Sequence, residues 1–458
     1  MQPRSRLRLA ALIAACLAVP PAAQAQQSAA PPAPRTALDR HFAATPVPDR
    51  VVLTWAGDPA TSVAVTWRTD ASVREPVVQV ARADASAHLA QGARRVPATS
   101  TALTAANGPA LHHSARLDGL EPNTLYAYRV GGGEVWSEWF HHRTAGREAA
   151  PFSFLYFGDA QNDVRSLWSR AVRGAFAEAP AARFMIHAGD LVDLRDGNHD
   201  TEWGEWFGAG AWLHAMVPSI VAAGNHEYVK SDTADIYEGL SPHWNRQFTL
   251  PRHGPAGLEG TVYHVDYQGV RIIVLNSLDA LDAGSAAEQA RWMEPLLRDN
   301  PNRWTVVTYH HPMFSMRDGR DNPPLREHWK PLFDRYGVDL VLQGHDHAYG
   351  RGHNVPEGAS AHDAASGTVY VVSVSGPKMY ELGEQSRWTE RRAENTQLYQ
   401  IIHVDADRLR FEARTVVGEL YDAFELVKGE GGRSRLIERR PNTPERRGVP
   451  SRLPVGDG

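Results

Sequence analysis

A chain of 458 residues, 42% of them hydrophobic, is long enough for two domains, each with its own core. Thirteen tryptophans beside 22% charged residues describe a folded globular protein, with disorder expected only at its ends. A formal net charge of -5 without a basic stripe argues against a nucleic acid partner.

Residues 1–25 read as a secretory signal peptide. Arg4, Arg6 and Arg8 precede an apolar run over 9–19, and Ala23-Gln24-Ala25 is a small-x-small cleavage site. The run is too short to span a membrane as a mature helix. The one cysteine, Cys16, lies inside it, so the mature chain is expected to be exported, periplasmic or secreted, and free of disulfides. A second reading keeps Cys16. Ile13-Ala14-Ala15-Cys16 resembles a lipoprotein signal, and a lipid on Cys16 would anchor the protein. Residues 26–45, rich in Pro, Ala and Gln, read as a disordered linker.

From 46 to 145 the pattern is short and β-like. Residues 50–55, 62–68 and 77–80 are runs of β-branched and aromatic residues separated by Gly, Pro and Asp. Residues 123–130 alternate over their second half, and Gly131-Gly132-Gly133 turns them into 135–142. Strands at this spacing predict a β-sandwich. His112, His113, His141 and His142 read as surface or packing histidines, since no carboxylate motif accompanies them.

After Gly146-Arg147-Glu148 the period changes. Residues 152–157 form a buried-type strand, followed at helical spacing by Val164, Leu167, Trp168, Ala171, Val172, Ala175 and Phe176. Residues 183–188 are a second strand, and 261–267 with 270–275 predict a hairpin turning at Gln268-Gly269. Helices carry Trp292, Leu296 and Leu297, then Leu325, Trp329, Leu332, Phe333 and Tyr336. Alternation of strands and helices predicts an α/β domain over 150–428. Residues 368–375, 399–404, 409–415 and 419–426 return to strand patterning and predict a second sheet. The Gly-, Arg-, Glu- and Pro-rich residues 429–458 are expected to form a disordered charged tail. Trp203, Trp206 and Trp212 could pack in the core or line a binding wall.

Five apolar strands end in residues that bind metals. Phe157 leads into Gly158-Asp159-Ala160-Gln161, and Ala188 into Gly189-Asp190-Leu191-Val192-Asp193. Ala223 leads into Gly224-Asn225-His226-Glu227, and Tyr309 into His310-His311-Pro312. The run 338–342 breaks at Gln343-Gly344 and delivers His345-Asp346-His347. In an extended segment residues i and i+2 face the same way, so both imidazoles can converge on one point. Open α/β sheets place ligands beyond the carboxyl ends of their strands, so the five loops can meet at one edge. Carboxylate, amide oxygen and imidazole together suit Zn, Mn or Fe. The set is too large for one ion and fits two, about 4 Å apart, sharing a carboxylate. One Gly-Asp alone would be ordinary turn chemistry; five motifs in register are not.

These motifs, in this order, resemble those of the calcineurin-like metallophosphoesterase superfamily. The stretch Gly344-His345-Asp346-His347-Ala348-Tyr349-Gly350-Arg351 is most similar to the purple acid phosphatase branch. So are residues 117–130 and Trp136-Ser137-Glu138, which resemble that branch's fibronectin-III-like module. The resemblance covers residues 46–426. It implies a fibronectin-III-like β-sandwich over 46–145, followed by a four-layer α/β/β/α metallophosphoesterase domain.

By that resemblance Asp159 and His347 would hold a first metal ion, Asp190 would bridge, and Asn225, His310 and His345 would hold a second. His226 would be an outer acid and electrostatic stabiliser, with His311 and Arg351 touching substrate; Arg317 and Arg320 are further candidates to grip phosphate oxygens. Two departures stand out. Purple enzymes carry a Tyr ligand three residues after the bridging Asp, and here that position is Asp193, so no charge-transfer colour is expected and the case for ferric iron is weaker, which leaves two divalent or trivalent ions among Zn, Mn and Fe. Other branches carry a His two after the first Asp, and here Gln161 could offer its amide oxygen instead. The implied activity is hydrolysis of small phosphate monoesters by a hydroxide bridging two metal ions. Phosphodiesters or nucleotide anhydrides are the alternative substrates, and a non-catalytic surface protein that binds a polymer is the third reading.

Overall fold

The computed structural model describes residues 36–234, 236–354 and 367–448. The expected signal peptide and Cys16 lie outside the described residues. Among the described residues no helix is long and apolar enough to cross a membrane.

Residues 49–143 form two antiparallel sheets. One runs in the order Asp49–Thr54, Ser62–Thr69, Gly108–Asp118, Thr99–Ala105. The other is Arg94–Pro97, Val77–Arg82, Leu125–Gly132, with Val135–Trp136 and Phe140–Arg143 both on the last of these. Val52, Trp67, Val78, Tyr128 and Val130 are buried in the sandwich core. This core does not stop at the domain boundary, because Trp55 packs against Phe184 and Tyr267 with ring centroids 5.7 and 5.4 Å away. The two domains therefore share one hydrophobic core, where composition alone suggested two.

The second domain holds two seven-stranded sheets face to face. The first runs Ser219–Val221, Met185–His187, Phe152–Phe157, Leu398–Val404, Arg408–Thr415, Leu420–Lys428, Ser434–Glu438. The second runs Tyr263–Tyr267, Val270–Val274, Trp304–Thr308, Leu340–Gln343, Val369–Val372, Tyr349–His353, Arg391–Ala393. Alternation along the second sheet explains the layering. Val306, Leu340, Leu342, Val369 and Val371 face the first sheet, while Val307, Val341 and Tyr370 face outward under Trp329 and Phe333. Helices Ala286–Arg298, Pro323–His328 and Lys330–Tyr336 cover that outer face.

Two expectations of disorder fail within the described residues. Ala37–His41 is a helix with a Thr36/Asp39 capping box, and the Phe42 carbonyl accepts from the buried Arg68 guanidinium at 2.8 Å. Ser434–Glu438 pairs with Leu420–Lys428 and closes the first sheet. Charge does not keep that tail unfolded, because strand neighbours supply counter-ions: Arg439 meets Glu425 at 3.1 Å and Arg446 meets Glu419 at 2.6 Å.

Most of the sandwich histidines turn out to be packing residues. His112, His113 and His142 are buried, as are His187 and His214 in the second domain. Burial holds His113, His142 and His214 at about 4, against 6.5 for free imidazole, and pushes His112 and His187 well below 6.5. As pH falls the unfolded chain takes up these protons first. The stability they confer is therefore complete above about pH 6.5 and drains away between about 6.5 and 4. A Tm series on the metal-saturated protein should fall steadily over that window, and a flat one would contradict it.

Candidate dinuclear metal centre

The five loops leave the carboxyl ends of parallel strands in both sheets. Asp159, Asp190 and Asn225 follow the three parallel strands of the first sheet; His310 and His345 follow Trp304–Thr308 and Leu340–Gln343 of the second. An isolated parallel bridge between Asp159 and Val374 ties the sheets together at this edge. The turns are sharp enough to put Asp190 and His345 at φ of 51° and 70°, a region that costs a side-chain-bearing residue energy. Glu227 holds Asp190 there: its carboxylate accepts the N–H groups of Asp190, Leu191 and Gly224 at 2.9, 2.8 and 2.7 Å. The motif glycines give room, since a Cβ on Gly344 would collide with Asp159 Oδ1 and one on Gly224 with Asp190 Oδ1.

Two groups of ligand-type atoms result, and they share one residue. Asp159, Asp190 and His347 make the first, and Asp190, His310 and His345 the second. Asn225 joins the second group, with its Oδ1 3.2 Å from His310 Nε2.

Proton bookkeeping shows why these atoms suit cations. His347 Nδ1 donates to the Lys378 carbonyl at 2.9 Å, which leaves a lone pair on Nε2. That nitrogen lies 3.2 Å from Asp159 Oδ2, a buried oxygen with no hydrogen-bond donor among the described residues. His310 repeats the arrangement. Its Nδ1 donates to the Ala188 carbonyl at 2.8 Å, and its Nε2 faces Asp190 Oδ2 at 3.0 Å and His345 Nδ1 at 3.1 Å. Acceptors crowded in this way repel one another without positive charge between them. A proton on His310 answers part of that demand: burial lowers its pKa, but the charges of Asp190 and Asp159 outweigh burial and push it up to about 9. For Asp190 burial works upward, yet the charges of His310 and His226 bring it below the usual carboxylate range. A cation in each group would supply the charge to all its donors at once, so the residues fit two bound ions. Burial, followed by the neighbouring imidazoles, holds His345 and His311 well below 6.5, so both keep a lone pair.

The surrounding residues sort less simply. His226 donates through Nδ1 to the Asp193 carbonyl, and its Nε2 lies 3.8 Å from Asp190 Oδ2. Asp193 also turns its carboxylate to His226 Nδ1 at 3.7 Å and to Lys378 Nζ at 3.5 Å, so it sits behind the ligands. His311 is anchored by Ser277 Oγ at 2.9 Å, with its ring 4.1 Å from that of His345. Gln161 reaches the first group, but with its amide nitrogen, which donates to Asp190 Oδ2 at 2.7 Å. Its oxygen is engaged by Lys378 Nζ at 3.3 Å, which removes it as a ligand in this conformation.

Arg351 is a clear correction. It is 0% exposed, and its guanidinium is held by Asp422, Glu390 and Glu438 at 2.9, 2.6 and 2.9 Å. Arg351 lies four residues past His347, about 13 Å farther along the chain at strand spacing, and points between the sheets. It cannot touch substrate. Trp203 and Trp206 are likewise buried in the core, and Trp212 is half-exposed, against Phe176.

Lys378 and Tyr380 escaped the sequence reading. Tyr380 packs its ring 4.6 Å from that of His347, with Arg317 4.4 Å and Arg320 5.2 Å from its centroid. Neither residue belongs to a metal-type motif, so no local signal marks it.

Comparison with known proteins agrees with this geometry. Residues 48–144 match the family model of the purple acid phosphatase N-terminal domain, and 152–349 that of the calcineurin-like phosphoesterases. An uncharacterised protein of Mycobacterium tuberculosis is 31% identical over 271 residues, 52% of this chain and 50% of that one. The Fe(3+)-Zn(2+) purple acid phosphatase 12 of Arabidopsis thaliana is 28% identical over 257 residues, 53% of this chain and 52% of its own. The chain thus spans about half the length of the curated relatives it matches. Its fold resembles that of purple acid phosphatase PPD1 from yellow lupin (Lupinus luteus), with a TM-score of 0.68 at 19% identity over 84% of this chain and 75% of that one. The chain thus carries a domain of the calcineurin-like phosphoesterases over residues 152–349, set behind a purple acid phosphatase N-terminal domain over residues 48–144.

Proposed function

We propose that the protein is an exported, metal-dependent phosphoesterase that hydrolyses small phosphate monoesters. The observation that carries the reading is the pair of ligand groups joined at Asp190, with imidazole lone pairs turned inward. In this reading Asp159, Asp190 and His347 hold one cation, and Asp190, Asn225, His310 and His345 hold the other. Two cations there would neutralise the phosphate oxygens and lower the pKa of bound water towards 7.

The chain's own groups do the rest. His226, oriented through Nδ1 by the Asp193 carbonyl, presents Nε2 to the cleft; in its imidazolium form it passes the Nε2 proton to the leaving alkoxide and is left neutral, with Nδ1–H still on the carbonyl. His311, fixed by Ser277, offers its other ring nitrogen to a phosphate oxygen. Arg320 is committed to Asp346 and the His345 carbonyl, at 2.6 and 2.9 Å, so it shapes the cleft wall. Export rests on the leader at residues 1–25, with a lipid anchor at Cys16 as its alternative; the mass of the mature N-terminus separates the two.

A second reading takes anhydrides as substrates, and one observation favours it. Arg317 is exposed, stacked on Tyr380 beside the first group, and has no anionic partner among the described residues. A second phosphate could meet it there. The test compares p-nitrophenyl phosphate, its bis-ester and inorganic pyrophosphate in one metal-analysed preparation, with Arg317→Met alongside. The monoester reading expects the monoester to be cleaved at least about tenfold faster than either competitor. Faster pyrophosphate cleavage, lost about tenfold in Arg317→Met, would transfer the assignment to anhydrides.

A further inference from the structure

We propose that Glu202 is a positioning residue for His226, and that the N-terminal sandwich keeps it in place. The inference rests on the reading of His226 as the proton donor.

A single peptide group links Glu202 to His226. Glu202 Oε2 accepts the N–H of Asp193 at 2.6 Å and the N–H of Leu194 at 3.0 Å. The Leu194 N–H and the Asp193 carbonyl belong to the same planar unit, and that carbonyl is the acceptor for His226 Nδ1. One rigid plane therefore has the Glu202 carboxylate at one end and the His226 imidazole at the other. If the carboxylate shifts, the plane turns and the ring turns with it. The carboxylate also polarises the peptide, which makes its carbonyl a stronger acceptor for the His226 Nδ1–H.

Glu202 is itself clamped. It lies in the first turn of the helix Thr201–Gly210, whose preceding residue is Asp200. The Asp200 carboxylate is held by Arg50 at 2.6 Å and Arg68 at 2.9 Å, both from the sandwich domain. Thr201 donates to Asp39, and Arg50 also donates to the Asp200 carbonyl at 3.1 Å. The start of this helix is thus fixed to the first domain, within two residues of the group that sets the Asp193 peptide. This gives the sandwich a part in the chemistry without its touching the substrate.

The role predicts a pattern that general damage does not. A proton donor matters most when the leaving group is a poor one, so wild type, His226→Ala, Glu202→Ala and Glu202→Gln are compared on glycerol 2-phosphate and p-nitrophenyl phosphate. Metal content is measured in each preparation. His226→Ala should lose about 100-fold more kcat on the alkyl ester than on the aryl ester. Glu202→Ala should show the same bias at about tenfold, with unchanged KM and two metal equivalents. Glu202→Gln, whose amide oxygen can still accept both N–H groups, should regain most of the lost selectivity. Equal losses on the two esters in His226→Ala would overturn the donor reading and this inference together. A biased His226→Ala beside an unbiased or unaffected Glu202→Ala would overturn this inference alone.

Discussion

Replacing Asp190 by alanine should remove both cations at once and lower monoester hydrolysis by at least about 10³-fold. Asp190 is the one residue common to both ligand groups, and it is buried between His310 and the Gln161 amide. Lewis-acid stabilisation by a bound ion is worth several kcal/mol, and each factor of ten in rate is about 1.4 kcal/mol. Asp159→Ala gives the contrast, since Asp159 belongs to the first group alone. It should leave close to one equivalent of metal where Asp190→Ala leaves almost none. Elemental analysis of the purified variants checks this beside kcat/KM. Two equivalents retained in Asp190→Ala would remove the shared-carboxylate geometry from the account.

Asp200→Ala should destabilise the protein by about 3–5 kcal/mol, because it strands buried charge outside the metal centre. Arg50 would keep uncharged partners, Gln247 Oε1 at 3.2 Å and the main-chain carbonyl at position 200, while Arg68 would keep Asp49 at 2.6 Å. Burial already lowers the Arg50 pKa, which shows how much that site depends on its counter-ion. Asp200→Asn keeps the shape but not the charge, so it should cost nearly as much. The exposed pair Arg116–Asp118, at 3.1 Å, is the control, and Asp118→Ala should leave Tm unchanged. Denaturant or thermal unfolding of the three variants decides the matter. An Asp200→Ala protein as stable as wild type would mean that the sandwich is held by its shared core alone.

The parts of the site that sequence made legible share a physical cause. Strands such as 152–157 and 304–308 are mostly apolar because both faces are largely buried, so the residues after each mark the open edge of a sheet. Asp159, Asp190, Asn225, His310, His345 and His347 all follow that rule, and the structure brings all six together. What stayed hidden depends on packing between distant segments. Arg351 follows the metal-type histidines in sequence, yet its neighbours are Asp422 and Glu438 from the opposite sheet. Gln161 is turned by Lys378, over two hundred residues away, and Asp193 acts through its carbonyl, which carries no residue identity. The tail strand Ser434–Glu438 looked too charged to fold because its counter-ions lie on neighbouring strands.

Anomalous diffraction from metal-loaded crystals would see directly whether two cations sit on either side of Asp190. Two peaks about 4 Å apart are expected, one against Asp159 and His347, the other against Asn225, His310 and His345. A single peak, or two that both lie away from the Asp190 carboxylate, would contradict that arrangement.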